Sequence, residues 1–176
     1  WILPLTLTEN LSIDANTEFD ANGLQINIAG NFTNNGIYTA NDNLVIFDGT
    51  VDQTITGVTN FYKLTKDPNA NTLILNDDIT VNNELKLNTG TLNDGDNTLH
   101  AKGNVWMDAA HIWGGTSDGI SFDGTETQTL QSENGTVAFA KMSINNPGGS
   151  DSIAVYVPEG NRITVSDMLQ MERGIF

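Results

Sequence analysis

Along nearly the whole chain apolar and polar residues alternate with a period of two. The clearest stretch is Val45 to Ile55 (VIFDGTVDQTI), and it recurs at Ile120 to Leu130 (ISFDGTETQTL), 75 positions later. Val45/Ile120, Phe47/Phe122 and Ile55/Leu130 stay apolar between the copies, while Ile46/Ser121 and Val51/Glu126 drift. A strand with one buried and one wet face varies in this way. Asp48-Gly49 and Asp123-Gly124 mark a sharp turn inside each copy, with the glycine expected at positive φ. Gln53 and Gln128 are expected to bond along a stack.

The rest of the chain repeats around this stretch. Leu5-Thr6-Leu7 with Leu11-Ser12-Ile13 parallels Leu73-Ile74-Leu75 with Ile79-Thr80-Val81. Gly30-Asn31-Phe32 parallels Gly103-Asn104-Val105, and Phe61–Thr65 parallels Phe139–Ser143. Ile163–Val165, Leu169–Met171 and Gly174 then track Ile79–Val81, Leu85–Leu87 and Gly90. The expected organisation is a first unit over residues 1–72, a second over 73–152, and the start of a third over 153–176. On this reading the chain is a piece of a longer parent.

Turn clusters such as Asn34-Asn35-Gly36, Asn41-Asp42-Asn43 and Asn93-Asp94-Gly95-Asp96-Asn97 separate runs of strand length, and no apolar stripe has helical period. Only Asp108–Ile112 would accommodate a short helical turn. The fold class is all-β. A right-handed parallel β-helix (solenoid) fragment is expected, because solenoid corners absorb the length differences between the units. Tandem β-sandwich repeats, with Asp-Gly as hairpin turns, are the alternative.

Composition narrows the function classes. With 22 acidic and 7 basic residues the net charge is -15, which repels nucleic acid and anionic lipid. There is no cysteine, so disulfides, thiolate metal sites and cysteine nucleophiles are excluded. No apolar run approaches the roughly 20 residues of a membrane helix.

The order of motifs carries a resemblance. Gly30, Asn31, Phe32, Asn34 and Gly36 are followed by the Val45 to Gly57 segment. Phe61 and Leu64 come next, and then the Leu73 to Leu92 run. This is similar to the repeats of very large secreted surface proteins of the Bacteroidetes, the adhesin-like substrates of their type IX secretion system. The resemblance implies an extracellular or cell-surface location. It also implies work as a scaffold or adhesin, including surface filaments of gliding cells. It further implies O-glycosylation at Asp151-Ser152-Ile153, on Ser152. The second unit departs from the pattern at Trp106-Met107-Asp108, which leaves room for a decorated loop over Trp106–Ser117.

Few residues offer chemistry. Asp94 and Asp96 place carboxylates in one tight turn, a pattern that suits calcium, although Asx-rich turns also form without any ion. Trp106 and Trp113 could stack on the apolar face of a sugar, or fill the core at an irregular turn. His100 falls opposite the inward phase of Leu99 and Ala101, and the two histidines do not make a transition-metal site. Lys63 and Lys141 occupy equivalent repeat positions, as surface lysines would. A repeated sequence argues against a unique catalytic centre, so the chain is expected not to be an enzyme. A β-helical polysaccharide-active enzyme is the least favoured reading. The leading expectation is a structural or adhesive repeat region of an elongated surface protein. Its partners would be surface glycans, other surface proteins, further repeats of its own chain or the secretion machinery. A glycan-binding module using Trp106 and Trp113 stands second.

Overall fold

The computed structural model describes residues 3–148 and 153–176, and among these there is no helix. Parallel strands stack into a β-solenoid of about seven turns. Each turn takes about 20 residues in the first part of the chain and visits three faces in order.

Face one carries β1 (Leu5–Leu7), β4 (Ile26–Ile28), β7 (Leu44–Phe47), β14 (Asn104–Met107), β17 (Gln128–Gln131) and β19 (Val155–Tyr156). Face two carries β2 (Leu11–Ile13), β5 (Phe32–Asn34), β8 (Gln53–Thr56), β10 (Thr72–Leu75), β12 (Thr91–Asn93) and β15 (Ala110–Ile112). Face three carries β3 (Glu18–Asp20), β6 (Ile37–Thr39), β13 (Leu99–Ala101) and β16 (Ile120–Phe122). Four long strands bend from one face to the next: β9 (Thr59–Lys66), β11 (Ile79–Leu87), β18 (Thr136–Asn145) and β20 (Arg162–Arg173). In β11 and β18 the bend is visible as a register shift, between Val81 and Glu84 and between Phe139 and Lys141. Every ladder is parallel, including those at the repeated Asp-Gly segments, so no hairpin forms there and the sandwich alternative falls.

Parallel register puts like on like. On face one Leu5, Ile26, Val45, Leu64, Leu85, Val105 and Leu130 form one inward column. On face three Ile79, Leu99, Ile120, Met142 and Leu169 form another. Most of these side chains are fully buried, and each such Leu, Ile or Phe contributes about 1.5–3 kcal/mol. Near the start, Phe19, Tyr38, Phe32 and Phe61 make an aromatic cluster with centroids 5.3–6.2 Å apart. Burial there pushes the Tyr38 phenol up to about 12, against the lowering effect of its Asn43 hydrogen bond.

The long sequence repeat does not equal a whole number of turns. Val45 pairs with Leu64 and Ile120 with Met142, so the relation within each copy is kept. Yet Val45 lies on face one and Ile120 on face three. One repeat advances three full turns and two further faces, and the second copy is rotated by one face. The structure also corrects the strand alignment of the first unit. Leu5 pairs with Ile26 as Ile79 pairs with Leu99, so β1 corresponds to the first half of β11 rather than to Leu73–Leu75. Leu11–Ile13 correspondingly matches Leu85–Leu87, since these pair with Phe32–Asn34 and Val105–Met107. The third-unit alignment holds: Val137 pairs with Ile163 and Met142 with Leu169, as Thr59 pairs with Ile79 and Leu64 with Leu85.

The Asp-Gly corners differ from expectation in mechanism. Neither Gly49 nor Gly124 has a positive φ. A Cβ on Gly49 would come within 2.3 Å of the Ala29 carbonyl oxygen and 2.8 Å of Gln53 Cδ. The glycine is there for close approach. The room it leaves is used by Gln53, whose Oε1 accepts the Gly49 amide at 2.9 Å. Its Nε2 donates to the Ile28 and Gly30 carbonyls of the preceding turn, at 2.9 and 2.6 Å. Gln128 repeats all three bonds with Gly124, Ala101 and Gly103. Both glutamines therefore bond along the stack, as their repetition suggested.

Candidate functional site

Asp94 and His111 meet inside the solenoid on face two. In β15, Ala110 and Ile112 point out to solvent while His111 points in, next to Leu92 of the preceding turn. Apolar residues outside and an imidazole inside invert the usual pattern. Asp94 follows β12 and likewise turns inward. His111 Nε2 lies 3.1 Å from Asp94 Oδ2, and both side chains are fully buried. Asp94 Oδ1 accepts the Gly114 amide at 2.9 Å and the Asp96 amide at 3.2 Å. His111 Nδ1 has no partner among the described residues. The imidazole edge meets the Phe139 ring at 6.3 Å between centroids.

β15 ends the six-stranded sheet. Between it and the first half of β18 lies a cavity of about 220 Å³, lined by His111, Ala138, Phe139, Ala140, Thr164 and Val165 among others. The longer corner that follows β17 is organised by Asp108. Its carboxylate accepts from Ser132 Oγ, the Glu133 amide, the Asn134 amide and the Asn134 side chain. Burial alone would raise the Asp108 pKa, but these hydrogen bonds outweigh it and hold the carboxyl below its ordinary range.

The residues singled out in sequence are not gathered into one site. Asp96 does not share Asp94's direction: its Oδ1 accepts the amide and hydroxyl of Thr116, both at 3.0 Å. Asp94 is far from being a solvated turn residue. Among the described residues, no three His, Asp or Glu side chains converge as an ion would require. Trp106 is half-buried on the outer side of face one, in register between Lys86 and Gln131, with Lys86 Nζ 5.4 Å from its ring centre. Trp113 lies just past β15 on face two. Its indole N–H donates to the Ser117 carbonyl at 3.0 Å, and Lys141 Nζ sits 5.2 Å from its ring. The two tryptophans therefore occupy different faces. Trp106 belongs to a regular strand, and Asp108–Ile112 contains extended β15 rather than a helical turn. Ser152 lies outside the described residues.

Three further polar residues have roles the sequence pattern did not disclose. Lys141 is buried, not a surface lysine, and its Nζ donates to the Ser117 carbonyl at 2.8 Å. Lys66 occupies the inward column between Phe47 and Leu87. Its amine donates to the Asn69 carbonyl and to Asn71 Oδ1 at the next corner, and burial lowers its pKa. His100 faces outward as expected and bonds Asp123 Oδ2 at 2.7 Å through Nδ1. That bond, helped by the charges of Asp123 and Asp78, raises its pKa against the opposing effects of burial and Lys102.

No family model, curated protein or solved structure matches the chain.

Proposed function

We propose that this chain is a non-enzymatic structural and adhesive repeat region of an elongated secreted or cell-surface protein. The observation that carries the reading is continuity. Apolar columns and parallel ladders run from turn to turn on three faces, and the corners add hydrogen bonds between turns. Such a stack loses many main-chain bonds together when it is pulled along its axis, which suits a load-bearing spacer. The location rests on the resemblance of the motif order to Bacteroidetes surface repeats, and the strongly acidic balance suits a soluble, extended surface. Adhesion would act through the outer rows of the faces toward glycans or other surface proteins.

Single-molecule pulling on the two chain ends tests the mechanical part. The expected record is a series of steps, each releasing one turn, about 70 Å of contour for about 20 residues. Collapse in one low-force event removes the spacer reading. Coated-bead binding to glycan surfaces tests the adhesive part, and beads that bind no better than uncoated ones remove it.

A glycan-binding reading rests on one specific row, Lys86, Trp106 and Gln131 in register on neighbouring strands. An aromatic face flanked by a cation and an amide can stack on a sugar and hydrogen-bond its hydroxyls. Loss of glycan binding in Trp106→Ala, with Trp113→Ala unaffected, would favour this row over the paired-tryptophan arrangement.

A further inference from the structure

We propose that the outer surface of face two binds crystalline water, so that this chain adheres to ice. The six strands β2, β5, β8, β10, β12 and β15 stack there in unbroken parallel register. Burial of Phe32, Ile55, Leu73 and Leu92 on the inner side fixes which residues face out. The outward side chains then fall into columns. Ser12, Thr33 and Thr56 form one, and Thr72, Thr91 and Ala110 form a second. Thr54, Ile74, Asn93 and Ile112 lie between them.

Charge narrows the occupant. The chain has 22 acidic and 7 basic residues, yet none of these outward positions carries a charge or an aromatic ring. Flanking carboxylates stand at the corners and are tied to main-chain amides. Asp52 Oδ1 accepts the Thr72 amide at 2.8 Å, and Asp77 Oδ2 accepts that of Gly57 at 2.7 Å. The other faces differ: face one sets out Glu84, Lys86 and Trp106, and face three sets out Glu18, Asp20 and His100. A neutral face gives an ionic ligand nothing to pair with, and without a ring it gives a sugar nothing to stack on. A second copy brings the same net charge of -15 and is repelled.

Period narrows it further. Neighbouring strands lie about 4.8 Å apart, and alternate residues along a strand about 6.7 Å apart. Five threonines therefore sit on a two-dimensional lattice, and the oxygen rows on the planes of ice repeat at closely similar intervals. A threonine hydroxyl both donates and accepts, as a water molecule in such a plane does. Its methyl, with Ile74, Ile112 and Ala110 nearby, orders the water around it. Each contact is weak and is matched by liquid water. Only a partner that meets many of them in register gains over the liquid.

Slow freezing of the parent chain mixed with serum albumin tests this directly. The chain should be enriched in the growing ice while albumin stays in the liquid. Thr54→Lys with Thr91→Lys, both outward and two strands apart on face two, should lose that enrichment with a melting midpoint close to the parent's. Thr6→Lys, exposed on face one, should keep it. A parent chain left behind with albumin overturns the proposal, as does a folded double variant that still enters the ice. Binding to microcrystalline cellulose or chitin in place of ice overturns it in favour of a polysaccharide. A parent dimer that the double variant dissolves, with no ice binding, overturns it in favour of a second copy. The test reads attachment through one face and can fail while the spacer reading stands.

Discussion

Asp94 and His111 are held 3.1 Å apart in the solenoid interior, and solvent reaches neither side chain. Asp94 Oδ2 takes the Nε2 edge of the imidazole, and Nδ1 is the nitrogen left without a partner among the described residues. A buried orphan of that kind costs about 1–3 kcal/mol. The pair therefore replaces what would otherwise be apolar column residues, like Leu73 and Leu92 in the preceding turns.

Breaking that pair from one side should hurt more than removing both members. His111→Leu leaves Asp94 Oδ2 buried and unpartnered, and a loss of about 3 kcal/mol is expected in urea unfolding. Asp94→Leu with His111→Leu should recover at least part of the loss, limited by the Gly114 and Asp96 amides that then lack an acceptor. A single variant as stable as the parent would contradict the buried pairing.

The two glutamine corners share three hydrogen bonds, and Gln128 adds a fourth from Asn146. Gln53→Ala removes three hydrogen bonds and leaves two carbonyls of the preceding turn and the Gly49 amide without it, at a cost of about 2–3 kcal/mol. Gln128→Ala should cost at least as much, because its Oε1 also accepts the buried Asn146 Nδ2 at 2.8 Å. Gly49→Ala forces a Cβ against the Ala29 carbonyl and should cost about 1–3 kcal/mol. Indistinguishable denaturation midpoints for parent and variants would refute this account of the corners.

His100 predicts one limb of the pH profile. Its pKa is raised in the fold, so its stabilisation is complete below the unfolded value, about 6.5. That share is lost as pH rises through the folded value. His100→Gln should flatten the stability profile above the ordinary histidine value, while NMR of the parent ring should show the raised midpoint. A titration at or below the ordinary histidine value rules the Asp123 bond out.

Asp108 predicts the opposite limb. Its pKa is lowered, so its stabilisation is present above the unfolded value, about 3.9. It fades as pH falls through the lower folded value. Asp108→Ala should cost about 1–2 kcal/mol at neutral pH, allowing for partial exposure, and less in acid. Equal cost at both pH values would mean the carboxylate charge is not what orders Ser132–Asn134.

Calcium at Asp94 would have to displace the His111, Gly114 and Asp96 contacts. Melting with chelator and with added calcium is expected to give one midpoint. A rise with calcium would show that the loop rearranges around an ion.

Much of the architecture was legible in residues that repeat. Alternation at Val45 to Phe47 marks a strand whichever face it occupies, because period two depends only on the pleat. The glutamine role was readable because Gln53 and Gln128 recur where exposed positions drift. The third-unit alignment, Ile163 to Ile79 and Leu169 to Leu85, held for the same reason. The candidate site was hardly legible. Alternation at Ala110-His111-Ile112 states that His111 opposes its neighbours, and hydrophobicity then assigns the wrong side inward.

By itself the chain determined an all-β stack, the place of its corners and the residues that tie turn to turn, since these depend on local geometry and identity at repeated positions. Tertiary structure alone decided which face each strand joins. The repeat runs three turns and two further faces, so Val45 and Ile120 share a motif without sharing a column. It also decided that Asp94 and His111 point inward together. The direction of a side chain at a corner depends on how the next turn is laid down, and no spacing within one turn encodes that.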